Sequence, residues 1–386
     1  MSCFALSKTG HLGPRETRPL RRGWTTGTCA AAAARAAYEL LVTGDCPDPV
    51  EVALPDGRRI AFAVAMHERD VTWATAGVVK DAGDDPDVTH GALIKASLLH
   101  GPVGAGITFR AGAGVGTVTR PGLLLPPGEP AINPVPRAMI RAAIAEVVQR
   151  FGASGDVVVE IAVPGGEHLA GKTLNARLGI VGGLSILGTT GIVIPFSCAA
   201  WIATIHRGID VARAAGLSHI AGATGRTSEQ AVQRLYSLPE AALIDMGDFV
   251  GGMLKYVRRH PIARVTIAGG FAKMTKLGQG LLDLHSRSGA VDLDWLAQSL
   301  GEAGAPADLV AITRSANTAL DALEEARRRT FPVGDVVARA AWQTASRAVQ
   351  GSGMAIDVAV FDRAGDLVAT CDGSGVQSPL PRNRRR

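Results

Sequence analysis

A change of rhythm near Gly155 constrains this chain more than any other feature. From there on, strand-like and helix-like stretches alternate: 157–163 as strand, 197–215 as helix, 219–223 as strand, 228–236 as helix, 243–246 as strand, 249–259 as helix, 264–268 as strand, and a helix after Phe271. Parallel strands need a crossover between them, usually a helix, so the alternation predicts a largely parallel sheet flanked by helices. Two or three helices follow between Asp294 and Val349, then a hairpin, "AIDVAVFDRAGDLVAT", able to pair with either half. Ahead of Gly155 the pattern is irregular. "VEVALPDGRRIAFAVAMHE" predicts two strands about Asp56-Gly57, with further strands at 71–79 and 107–110. "NPVPRAMIRAAIAEVVQRF" predicts a helix capped by Asn133, with Ile140, Ile144, Val147 and Phe151 at helical spacing. A mixture of this kind predicts an α+β unit, and 386 residues exceed the size at which one core keeps growing. The expected organisation is a disordered basic arm over 1–22, an α+β domain over 23–155, an α/β domain over 156–375 and a disordered basic tail over 376–386.

"RRGWTTGTCAAAAARAAYELL" places hydroxyls and a glycine before five consecutive alanines. Alanine is the best helix former, so a helix is expected over 30–41, with Thr25, Thr26 or Thr28 as its N-cap. A bare alanine face suits tight core packing. The uncapped N–H groups above it equally suit an anion.

The net charge of +5 raises the question of nucleic acid. The first 22 residues carry Lys8, Arg15, Arg18, Arg21 and Arg22 against Glu16, and the last five carry four arginines. The body between is slightly acidic and presents no basic stretch interleaved with aromatics, which argues against a nucleic-acid binder. Five scattered cysteines, with no Cys-x-x-Cys, suit reduced thiols in a cytoplasm and no metal site. The 28-residue run 178–205 carries no charge, yet Gly179, Gly182, Gly183, Gly188, Gly191 and Pro195 make it poor material for a lipid-facing helix, and no membrane span is expected.

Three glycine-rich turns follow strand-like stretches: 178–193, 220–232 and 266–280. None is a Gly-x-Gly-x-x-Gly or P-loop motif, but on one edge of one sheet they would together favour a nucleotide-like ligand held by backbone N–H groups. The cofactor candidates are Gly182, Gly183, Gly188, Thr189, Thr190, Gly191 and Gly225. "KDAGDDPDVTHG" concentrates Asp81, Asp84 and Asp85 near His90. That cluster suits ribose or sulfonium recognition, proton transfer by a carboxylate of raised pKa, a hard-metal site, or a polar turn. Arg120, Arg137, Lys172 and Arg177 stand beside turns and could pair with substrate carboxylates, as could Lys273 and Lys276.

The motifs "RRGWTTGTCAAAAARAA", "KDAGDDPDVTHG", "GVGTVTRPGL", "GEPAINPVPR" and "NARLGIVGGLSILGTTGIV" resemble, in order, the signatures of the CbiD family of cobalt-precorrin-5B C(1)-methyltransferases. The similarity spans about 21–195 and continues more weakly through "GGFAKMTKL" to about 375. The resemblance implies a methyltransferase using S-adenosylmethionine to methylate carbon 1 of a cobalt corrinoid precursor. It also implies an α+β domain resembling domain 2 of ribosomal protein S5, followed by a Rossmann-like domain. On this reading Asp81, Asp84 and Asp85 are the catalytic candidates, and Thr25, Thr26, Thr28, His90 and the basic residues above bind the anionic tetrapyrrole. The cobalt arrives inside the substrate. Two rivals remain: a dinucleotide-dependent oxidoreductase, which would bind NAD(P)H, and a tetrapyrrole carrier, which would bind corrinoid without needing S-adenosylmethionine.

Overall fold

The structure is a computed structural model and describes residues 19–378. The expected basic arm and tail lie largely outside the described residues. Where the arm is described, Arg21 is tied down, its guanidinium paired with Asp81 and its backbone N–H donated to Asp84.

The first unit opens with β1 (Gly23–Trp24) and α1 (Thr26–Thr43). Thr25 caps α1, its hydroxyl oxygen accepting the Thr28 N–H at 3.2 Å, and Gly44 ends it in the left-handed conformation at φ +91°. The hairpin of β2 (Val50–Ala53) and β3 (Arg59–Phe62) turns at Asp56-Gly57 as expected. There follow β4 (Met66–Arg69), β5 (Trp73–Val79), β6 (Leu93–His100), β7 (Ile107–Ala111), β8 (Thr117–Val118), α2 (Pro134–Phe151) and β9 (Val157–Ala162). The main sheet has the order β4-β5-β6-β9-β7 and is antiparallel except between β7 and β9. Along β6, buried Ile94, Ala96 and Leu98 alternate with more exposed residues, the pattern of a sheet with one covered face. The cover is α1, packed on β5, β6 and α2.

The expected domain break between 155 and 156 is corrected by this sheet. β9 lies between β6 and β7, and the chain stays with the first unit through α3 (Gly166–Ala170), β10 (Ile180–Val181) and β11 (Ile192–Val193). β10 pairs with β8, and β11 pairs with β1. A short apolar run such as 157–163 has no periodicity that says which sheet will bury it.

The alternating unit begins at α4 (Cys198–Ala214) and runs through β12 (His219–Ala223), α5 (Arg226–Tyr236), β13 (Leu243–Asp245), α6 (Val250–Arg259), β14 (Arg264–Gly270) and α7 (Phe271–Gly278). Four helices, not two or three, come next: α8 (Leu293–Glu302), α9 (Ala307–Ser315), α10 (Ala319–Arg328) and α11 (Val333–Ala348). The chain closes with β15 (Ala355–Phe361), β16 (Leu367–Asp372) and β17 (Gly375–Gln377), so the C-terminal hairpin joins this second sheet. Its order is β13-β12-β14-β15-β16-β17, with β12 to β15 parallel. Buried residues run without alternation over 265–269 and 356–361, as in strands covered on both faces. No helix among the described residues is long and apolar enough to cross a membrane.

Candidate functional site

In an open parallel sheet, ligands bind outside the carboxyl ends of the strands, where successive connections leave in opposite directions. Here α5 leads from β12 to β13 on one side, and α6 leads back past β12 to β14 on the other. The crevice therefore lies between β12 and β14. Gly225 precedes α5 and Gly270 precedes α7, and a Cβ built on either would meet nothing within 4 Å. Lys273, in the first turn of α7, donates to the Thr224 carbonyl at 2.8 Å and pairs with Asp248 at 3.0 Å, clamping two strand-end loops together. Asp245 ends β13. Burial, reinforced by nearby Glu229, pushes its carboxyl above the usual range. Glu229, in the first turn of α5, is gripped by both ends of the Arg177 guanidinium at 2.7 and 2.6 Å.

The segment 194–201 joins this edge to the first unit. The Trp201 indole N–H donates to the Asp245 carbonyl at 3.2 Å, and its ring lies against Gly247. The Phe196 N–H donates to Asp85 Oδ1 at 2.8 Å. The stretch 196–201 thus touches both the aspartate-rich loop and the end of β13.

A family model described as CbiD matches residues 14–195, and one described as the CbiD C-terminal domain matches 283–372. A cobalt-precorrin-5B C(1)-methyltransferase of Bradyrhizobium is 73% identical over 368 residues, 95% of this chain and 98% of that protein. The chain belongs to the CbiD family. Proteins of the same description from Methylorubrum extorquens and Agrobacterium fabrum are 61% and 59% identical, covering 92% and 95% of this chain and 98% of each relative. A crystal structure of a cobalamin biosynthesis protein (cbiD) from Archaeoglobus fulgidus aligns at 29% identity over 65% of this chain and 77% of that one, with a TM-score of 0.37. The first family match ends at residue 195, next to Phe196, where the two units of the CbiD chain meet.

Each carboxylate of the aspartate loop in this CbiD chain is already engaged. Asp81 pairs with Arg21 and accepts the Gly83 N–H, and these donors hold its carboxyl down at about 2. A raised carboxyl is therefore not found at Asp81. Asp84 accepts the Arg21 N–H, and Asp85 that of Phe196. Within the loop His90 accepts the Ala82 N–H through Nδ1 at 3.1 Å. Among the described residues, no group of three or more His, Cys, Asp or Glu could hold a metal ion.

The N-terminus of α1 is covered, which corrects the open anion site. The Gly27 N–H donates to the Leu187 carbonyl at 3.1 Å, and the Thr28 hydroxyl donates to the Gly191 carbonyl at 2.7 Å. Thr25, Thr26 and Thr28 are all buried. The turn 178–193 folds over the helix, and a Cβ at Gly188 would overlap Thr25, while one at Gly183 would overlap the Gly114 backbone. These glycines serve packing, whereas Gly182, Thr189 and Thr190 are exposed. The expectation of three glycine turns on one sheet edge is likewise corrected: only those containing Gly225 and Gly270 meet there, because the first belongs to the other unit. Arg137 is taken up by the carbonyls of Ile132 and Pro130, and Arg177 by Glu229, while Arg120 and Lys172 are exposed.

Sequence reasoning missed Asp245, although its place 20 residues after Gly225, at the end of the next strand, was a visible signal. It also missed buried Lys80, whose ammonium holds Asp87 and Thr89 and so shapes the aspartate loop from beneath. Nothing in the pattern pointed to Phe196 or Trp201.

Proposed function

We propose that this chain is an S-adenosylmethionine-dependent methyltransferase that methylates carbon 1 of cobalt-precorrin-5B, giving cobalt-precorrin-6A in anaerobic cobalamin biosynthesis. The near full-length identity to relatives of that description carries the reading. The parallel order β13-β12-β14-β15 with helical crossovers supports a Rossmann-like second unit, and an S5-like first unit belongs to the same proposal. A cytoplasmic setting goes with it, resting on the scattered cysteines.

The β12/β14 crevice fits S-adenosylmethionine by its chemistry. Open space at Gly225 and Gly270 lets backbone N–H groups at the starts of α5 and α7 approach a carboxylate, and Asp245 offers an acceptor for ribose hydroxyls. When bound, the cofactor supplies an electrophilic methyl group on a positively charged sulfur. The protein's own task is alignment, which can contribute about 7–11 kcal/mol to such a transfer without acid or base machinery. Asp245 would hold the nucleoside, Lys273 fixes the loops around it, and Arg177 fixes Glu229. Of the basic candidates, Arg120 and Lys172 are exposed and able to meet substrate acetates and propionates.

The test incubates purified protein with methyl-labelled S-adenosylmethionine and cobalt-precorrin-5B, then weighs the corrinoid. Gain of one labelled methyl group supports the reading. Substrate reduction with NAD(P)H, or corrinoid binding with no transfer, overturns it in favour of an oxidoreductase or a carrier.

A further inference from the structure

The uncharged run 178–205 ends in an apolar surface that the fold does not bury. Phe196 is 67% exposed and Trp201 46% exposed, and Ile194, two residues before Phe196, is also open to solvent. Phe196 has φ +55°, a conformation costly for a side chain of its size. Local helix chemistry does not account for it. Ser197 caps α4, so Phe196 and Trp201 occupy the two positions whose side chains can close a hydrophobic staple, and a closed staple would shield both rings from water. Instead both residues are held from outside: Asp85 accepts the Phe196 backbone N–H, and the Asp245 carbonyl accepts the Trp201 indole N–H. One contact from each unit thus fixes the Phe196 backbone and the Trp201 ring, and both side chains keep substantial exposed surface.

We propose that Phe196 and Trp201 form the ledge on which the face of the flat corrinoid macrocycle lies, and that Asp85 is the positioning residue that sets it. The assignment rests on the methyltransferase reading above. A conjugated macrocycle with carboxylates only at its periphery matches an apolar aromatic surface at its centre. The ledge adjoins Asp245, so a ring lying there is next to the crevice assigned to the methyl donor. Asp85 acts through its oxygen as an acceptor, not through its charge or a proton.

Kinetics of four variants test this, with binding of cobyrinic acid, a stable cobalt corrinoid, measured by equilibrium dialysis. Phe196→Gly relieves the positive φ, so its melting temperature rises or holds while KM for the corrinoid increases about tenfold, with kcat and S-adenosylmethionine affinity little changed. Trp201→Ala weakens cobyrinic acid binding similarly. Asp85→Asn keeps an acceptor oxygen and stays near wild type, while Asp85→Ala raises KM for the corrinoid as Phe196→Gly does. Wild-type KM and cobyrinic acid affinity in both Phe196→Gly and Trp201→Ala overturn the ledge while the methyltransferase reading stands. Asp85→Asn as impaired as Asp85→Ala overturns the positioning role. Absence of methyl transfer by the wild-type protein overturns the functional reading and the ledge with it.

Discussion

At Asp245 the fold works against the charge it needs. Burial and Glu229 both disfavour the ionised carboxylate, so Asp245→Asn is expected to raise the melting temperature at neutral pH while weakening S-adenosylmethionine by about tenfold in calorimetry, through loss of a charged hydrogen-bond acceptor. A variant less stable and equally tight would remove Asp245 from the site. Asp81 shows the opposite sign. Its carboxyl is held below the ordinary 3.8, so its pairing with Arg21 stabilises the fold fully above that value and is lost as pH falls towards about 2. Release of residues 19–22 over that acid range, seen as loss of amide protection at Asp84, is expected in the wild type. In Asp81→Asn that acid step should be absent.

At the scale of one element, α1 is built for contact rather than for ligand. Ala30 to Ala34 are fully buried against α2 and the main sheet. Ala32→Leu should cost about 1–3 kcal/mol by overpacking and leave affinity for both substrates unchanged in the fraction that folds. Thr28→Val removes the hydroxyl that the Gly191 carbonyl accepts, and should cost about 1 kcal/mol in denaturant unfolding, again without a change in ligand affinity. A selective loss of corrinoid or cofactor binding in either variant would restore the anion-site view of this helix.

Across the whole molecule, the two units are joined by polar contacts of defined geometry. Arg177 reaches from the first unit to Glu229 on α5, Asp85 holds Phe196, and Gly122 packs on the α4 backbone at Asp210 and Val211. Glu229→Gln breaks the paired charge at a largely buried position, and is expected to cost about 2 kcal/mol and to split a single calorimetric transition into two. It also removes the neighbour that helps push Asp245 up, so Asp245 should titrate lower in this variant. A single unshifted transition would show that the coupling runs elsewhere.

Local chemistry made much of the element order legible. The alanine helix with its threonine cap, the Asp56-Gly57 hairpin, and the strands and helices from 219 to 278 follow from propensity, capping and period, all of which act within a few residues. The family was legible for a related reason: five motifs in order are a property of the chain itself. Tertiary structure alone decided which sheet buries 157–162, that the turn 178–193 covers α1 instead of joining the glycine turns at β12 and β14, and that the C-terminal hairpin extends the second sheet. It likewise decided that Asp81, Asp84 and Asp85 are spoken for by Arg21, Gly83 and Phe196, and that Phe196 stands exposed at a positive φ. Apolar runs and carboxylates declare a need for burial or for a partner. Which distant segment meets that need is set by long-range packing that no local pattern encodes.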